Sequence, residues 1–136
     1  MSDSRVFIDS NIHLYLFAKD QKKKDFVSTL KNQNHCISTQ VVNENVNVCL
    51  KKLHLSKEEA FAHGEYLFDN FLSSQIAKTT IQRAFYLNNK YHYSYWDSLI
   101  LSAAIDNNCS LLYSEDMQHN HVIERTLTII NPFLDL

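Results

Sequence analysis

Val6-Phe7-Ile8-Asp9-Ser10-Asn11 decides how the rest of the chain is read. Three apolar, strand-favouring residues run into a carboxylate, a hydroxyl and an amide, the residue types that begin helices. A late stretch, Leu111-Leu112-Tyr113-Ser114-Glu115-Asp116, has the same form. If both runs are strands of one parallel sheet, Asp9 and Asp116 stand at strand carboxyl ends, the edge at which open α/β sheets bind ligands.

Working outward, short apolar runs alternate with helical patterns. Ile12 and Leu14 to Phe17 form a short apolar helix after the first strand, and Asp20 to Lys31 reads as a second helix with a lysine-rich start. His35 to Ser38 is a strand, with Ser38 or Thr39 capping a helix to about Lys52. Ser56 and Glu59 have the spacing of a capping box. Ser74 to Ala77 is a brief strand, and Thr79 or Thr80 caps a helix through Leu87. Ser94 caps the next helix, which Asn107-Asn108 ends. Leu111 to Ser114 and Leu127 to Ile130 are the last strands. The alternation predicts an α/β domain, a mainly parallel sheet wrapped by helices.

Length and composition set bounds. The 136 residues make one domain, 1–136, large enough to bury a core. No apolar run approaches the roughly 20 residues of a membrane span. The chain enters its first strand almost at once, so no signal peptide is expected. Cys36, Cys49 and Cys109 are odd in number and widely spaced, which predicts reduced thiols and a cytoplasmic location. A net charge of −2 advertises no general affinity for nucleic acid. Gly64 is the single glycine and lies in a helical pattern. A P-loop, a dinucleotide fingerprint and a nucleophile elbow all need glycines at fixed places and are excluded.

The remaining chemistry is carboxylic. Glu44 and Asp97 lie near the starts of predicted helices and can reach the edge occupied by Asp9 and Asp116. Taken singly, Asp9 would be an N-cap, Asp97 a capping-box acid, Glu44 a solvated helix residue and Asp116 a turn residue. Together they form a like-charged cleft, and a hard divalent cation bound by oxygen relieves the repulsion.

The same stretches resemble the motifs of the PIN-domain ribonucleases. Val6-Phe7-Ile8-Asp9-Ser10-Asn11 is similar to the family's opening strand and Asp-x-Asn. Ser38-Thr39-Gln40-Val41-Val42-Asn43-Glu44 is similar to its second motif, Tyr95-Trp96-Asp97-Ser98-Leu99-Ile100 to its third, and Leu111-Leu112-Tyr113-Ser114-Glu115-Asp116-Met117 to its fourth. Ile130-Asn131-Pro132-Phe133 resembles the terminal strand. The motifs occur in family order over almost the whole chain. Two departures are Ser10, where Thr is commoner, and Asn120, where a glycine often stands. Asn tolerates positive φ, so the second is conservative.

The resemblance implies a PIN-like three-layer α/β/α sandwich and Mg²⁺- or Mn²⁺-dependent hydrolysis of RNA phosphodiesters. Asp9, Glu44, Asp97 and Asp116 would be catalytic, with Asp9, Asp97 and Asp116 at the metal. Ser114 and Asn11 would support them, and Glu115 would point away. The Tyr-Trp-Asp and Ser-Glu-Asp forms look closest to VapC-like toxins, which implies a protein antitoxin, a homodimer and an RNA substrate. The apolar first helix, Leu14 to Phe17, is read first as core, and the resemblance implies that part of it could form a groove for the antitoxin. Rival readings are an RNA-processing PIN nuclease without antitoxin, a non-catalytic metal-binding regulatory module such as a receiver domain, and a small-molecule phosphatase. The marked middle strand ends in hydroxyls and not in a receiver's Asp, and position 11 is Asn where a phosphatase Asp-x-Asp needs Asp.

Other groups are read conservatively. Trp96 and Tyr95 are expected to pack in the core, whereas Tyr91 and Tyr93 stay open as base-stacking candidates. Lys22 to Lys24 are expected on a solvated face, and Lys51-Lys52 are possible phosphate contacts. His119 and His121 are expected in a solvent-exposed loop near the site mouth.

Overall fold

The computed structural model describes residues 5–136. Strand β1 (Val6–Ile8) leads into α1 (Ser10–Leu14), a 3₁₀ turn (Tyr15–Phe17) and α2 (Gln21–Ser28). Strand β2 (Cys36–Ser38) is followed by α3 (Thr39–Lys51) and α4 (Lys57–Asn70), then β3 (Leu72–Ser74), α5 (Lys78–Tyr91) and α6 (Tyr95–Asp106). Strands β4 (Leu111–Tyr113), β5 (Val122–Ile123) and β6 (Leu127–Ile130) complete one six-stranded sheet of order β3-β2-β1-β4-β6-β5.

All pairings are parallel except β5 with β6. Successive strand residues face opposite sides, and Val6, Phe7 and Ile8 are all buried. Both faces of the sheet are therefore covered by helices, giving the expected three-layer α/β/α sandwich. The chain winds from β1 through β2 to β3 on one side and from β4 to β6 on the other. The order reverses between β1 and β4, and such a switch point opens a crevice at the strand carboxyl ends.

The helix ends follow local chemistry. Ser56 and Glu59 form the reciprocal capping box expected of them. Ser94 accepts the Asp97 N–H at 3.1 Å. Asn108 takes the left-handed conformation after α6, at φ 56, and Asn120 does the same at φ 68.

Several boundaries differ from expectation. Helix α2 stops at Ser28 and not Lys31, because the Thr29 hydroxyl bonds back to the Phe26 carbonyl at 2.6 Å and Asn32 turns left-handed. Strand β3 lies at Leu72–Ser74, upstream of the expected Ser74 to Ala77. It is an exposed edge strand placed by buried Phe71 before it, so its own residues carry little apolar signal. Helix α5 starts at Lys78 and runs to Tyr91, ending on left-handed His92. Thr80 lies inside its first turn, where its hydroxyl accepts the Ala77 N–H at 3.2 Å. Ser38 occupies the N-cap of α3, but its buried hydroxyl makes no capping bond. The two-residue β5 was not expected at all.

Candidate functional site

Sheet register builds the site. Ile8 pairs with Tyr113 across β1 and β4, so the next residues, Asp9 and Ser114, emerge side by side. The Asp9 N–H continues the ladder to the Tyr113 carbonyl at 3.0 Å. One Asp9 carboxylate oxygen accepts the Ser10 N–H at 2.7 Å, and the other accepts the Ser114 hydroxyl at 2.9 Å. Asp9 is thus both the N-cap of α1 and a carboxylate buried at the switch point. Burial raises its pKa from 3.8 to about 7, against the pull of those two donors, and the charges of Asp97 and Asp116 raise it further.

The other acids arrive from three elements. Glu44 lies in the second turn of α3, and its Oε1 accepts the Ser10 hydroxyl at 2.5 Å. Asp97, in the first turn of α6, is half-buried; burial first and then Asp116 and Glu44 raise its pKa, with Ser94 opposing them. Asp116 is exposed in the turn after β4 and accepts Asn11 Nδ2 at 2.5 Å. All four acids line one cleft of about 270 Å³, shared with Gln40, Asn47, Trp96 and Lys52. Ser114 also accepts the Met117 N–H at 3.3 Å, which closes the turn that carries Asp116.

An interior amide fixes the helices beneath. Buried Asn45 donates to the Ser10 carbonyl at 3.0 Å and to the Val41 carbonyl at 3.1 Å, and its carbonyl oxygen meets His63 Nε2 at 2.9 Å. Asn45 thereby ties α1, α3 and α4 together behind the acids. Close by, His13 is fully buried against Phe71, and burial lowers its pKa to about 3.

The donor set suits a hard divalent cation. It consists of carboxylate oxygens close enough together that neighbouring acids help to raise the pKa values of Asp9 and Asp97, and among the described residues Lys52 is the single cationic side chain on the cleft wall. Among the described residues, no three acidic, cysteine or histidine side chains close tightly enough to cage an ion. Mg²⁺ needs no cage, because it keeps several waters and takes one or two carboxylates.

Several side chains stand elsewhere than expected. Trp96 is not in the core; it is 60% exposed and walls the cleft, while Tyr95 is half-buried between Trp96 and Phe85. Tyr91 exchanges hydrogen bonds with Glu124, and Tyr93 bonds His121 at 2.7 Å, so both rings anchor the loop around β5. His121 is consequently half-buried, while His119 is exposed and accepts the Asn131 N–H at 2.9 Å. Lys23 departs from the solvated face: it pairs with Glu115 at 2.7 Å and covers the rings of Tyr15 and Phe133. Glu115 turns to this pair and to the Tyr15 hydroxyl, outside the four-acid cleft. Gln40 and Asn47 were not singled out from sequence, whereas Lys52, read there as a possible phosphate contact, does line the cleft. Gln40, Glu44 and Asn47 recur at i, i+4 and i+7 on α3, a polar stripe at helical spacing that marks their common face.

A six-stranded, mainly parallel sheet with an acid-lined crevice at its switch point defines an α/β protein of the PIN fold. The PIN domain family model matches residues 6–124, and the chain belongs to that family. No curated protein matches its sequence. Among solved structures, it is similar to a toxin–antitoxin complex from Klebsiella pneumoniae, at TM-score 0.71 and 20% identity, over 96% of this chain and 98% of that one. It is also similar to Mycobacterium tuberculosis VapC20, described as a sarcin–ricin loop cleaving toxin, at TM-score 0.66 and 13% identity, over 82% and 89% of the two chains. A third similar structure is Rickettsia felis VapBC2 bound to a DNA fragment from its promoter, at TM-score 0.66 and 17% identity, over 91% and 97%.

Proposed function

We propose that this protein is a Mg²⁺- or Mn²⁺-dependent endoribonuclease and the toxin of a toxin–antitoxin pair. The observation that carries the reading is Asp9, buried at the sheet's switch point among Asp97, Asp116 and Glu44, in a chain of the PIN family. The toxin assignment draws on similar structures described as toxin–antitoxin assemblies. With it come a protein antitoxin, a homodimer and action in the cytoplasm.

Asp9, Asp97 and Asp116 are the residues that would hold the ion. When bound, the ion supplies Lewis acidity to the scissile phosphate and acidifies an attacking water. The chain does the positioning. Ser10 N–H and the Ser114 hydroxyl fix both oxygens of Asp9. The Ser10 hydroxyl occupies one oxygen of Glu44, leaving the other to take a proton from water. Asn11 orients Asp116, and Lys52 meets backbone phosphate at the cleft wall.

The test is cleavage of RNA by the purified chain with Mg²⁺, Mn²⁺ or EDTA. Asp9→Asn is expected to lower the rate by at least about 100-fold, the scale of losing a main electrostatic group. Ser114→Ala, which releases one Asp9 oxygen, is expected to cost roughly tenfold. Equal rates with EDTA, or in the Asp9→Asn protein, would overturn the reading.

A further inference from the structure

A second cleft, of about 550 Å³, adjoins the acid cleft and shares Gln40, Glu44, Asn47 and Trp96 with it. Its chemistry differs: Ile76 and Leu99 are apolar lining, Asn43 adds an amide, and Trp96 presents an exposed ring. Gln40, Asn43 and Asn47 lie at i, i+3 and i+7 on α3, so one helix face carries a row of amides. Tyr95 meets the Trp96 ring edge to face, with centroids 5.2 Å apart, and Phe85 backs Tyr95 at 6.0 Å. The Gln40 side chain donates to the Trp96 carbonyl at 3.3 Å, and its own carbonyl oxygen is buried with no donor among the described residues.

We propose that this second cleft is a subsite for one unpaired nucleobase of the RNA, next to the phosphate held at the acids. The inference rests on the nuclease reading of the first cleft and adds what selects the substrate. A large exposed aromatic held by a second ring offers a stacking face to any base. The amide row supplies donors and acceptors for a base edge, the arrangement that reads single-stranded RNA. Turning the Gln40 amide outward would bring its buried oxygen into the cleft, where the exocyclic amine of adenine, cytosine or guanine matches it. Continuity with the acid cleft places the base and its phosphate on one strand. A base locked in a duplex cannot enter, so the subsite selects loops and other unpaired segments.

Trp96 is the only tryptophan of the chain, so its fluorescence reports the wall between the two clefts, and the abasic strand separates base stacking there from binding at the acids. The full chain is titrated, with Ca²⁺ as the oxygen-seeking ion, with a single-stranded pentanucleotide, the same pentanucleotide abasic at its centre, and a duplex of the same sequence. Saturable quenching by the first only is expected; equal quenching by all three, or binding by anisotropy with unchanged fluorescence, would overturn the subsite. In cleavage assays Trp96→Ala is expected to raise KM about tenfold with kcat little changed, the scale of one lost stacked base, and Trp96→Phe to restore most of it. Gln40→Leu is expected to shift base preference beside the cut towards uracil. An unchanged KM and preference in both variants, with wild-type cleavage intact, would sink the subsite and leave the nuclease standing. Specific quenching without metal-dependent cleavage would sink the nuclease and leave a base-binding cleft.

Discussion

Asp9 gives the chain a pH signature. Its pKa rises from 3.8 to about 7 on folding, so the folded chain holds this proton more tightly than the unfolded chain. The stabilisation is complete below the unfolded value of 3.8 and is lost as pH rises through about 7. His13 runs the opposite way, because its folded pKa of about 3 lies below the ordinary 6.5 and its contribution is lost on acidification. The difference between wild type and Asp9→Asn isolates the first effect. In EDTA the variant is expected to gain on wild type between about pH 4 and pH 8, by on the order of 4 kcal/mol in all. Urea melts across that range check it, and parallel profiles would contradict it. Mg²⁺ at about pH 8 is expected to raise the melting temperature of wild type and not of Asp9→Asn, since only a bound ligand stabilises by mass action.

Helices α3 and α4 show which element-scale features local chemistry controls. Ser56→Ala removes the cap of α4 and is expected to cost about 1 kcal/mol in a denaturant melt. Gly64 sits buried on the same helix, and a Cβ there would meet Val46 Cγ2 at 3.1 Å. Alanine favours a helix interior over glycine by roughly 1 kcal/mol, but a β-branched neighbour in a helix has one strongly preferred rotamer and yields little. The two effects oppose, so Gly64→Ala is expected to change stability by less than about 1 kcal/mol, whereas Gly64→Leu unfolds the α3–α4 contact. Capping boxes and apolar periodicity are local patterns, which is why α4, α6 and the strands β1 and β4 were legible in the sequence. Strand β3 was misplaced because its exposed edge residues owe their position to Phe71 and to pairing with β2. Strand β5 was missed because two residues cannot show a period, and its loop is held from a distance by Tyr91, at the end of α5, and Tyr93, in the turn before α6.

At the scale of the molecule, four acids separated by almost the whole chain share one cleft because the sheet reverses between β1 and β4. That convergence was readable once the strand-ending acids were seen as a set. The cleft's walls were not. An aromatic at a helix start usually packs inward, and only the assembled fold leaves Trp96 exposed over the amide face of α3. Lys23 was likewise misread, since its partner Glu115 lies 92 residues away. The central claim is that these acids cut RNA at chosen unpaired sites. Sequencing RNA ends after brief induction of the chain tests it most directly, with Asp9→Asn as the control. The account predicts new ends at a few unpaired positions in one or few RNAs, absent with Asp9→Asn. Ends scattered as in uninduced cells, or the same ends with the variant, would contradict it.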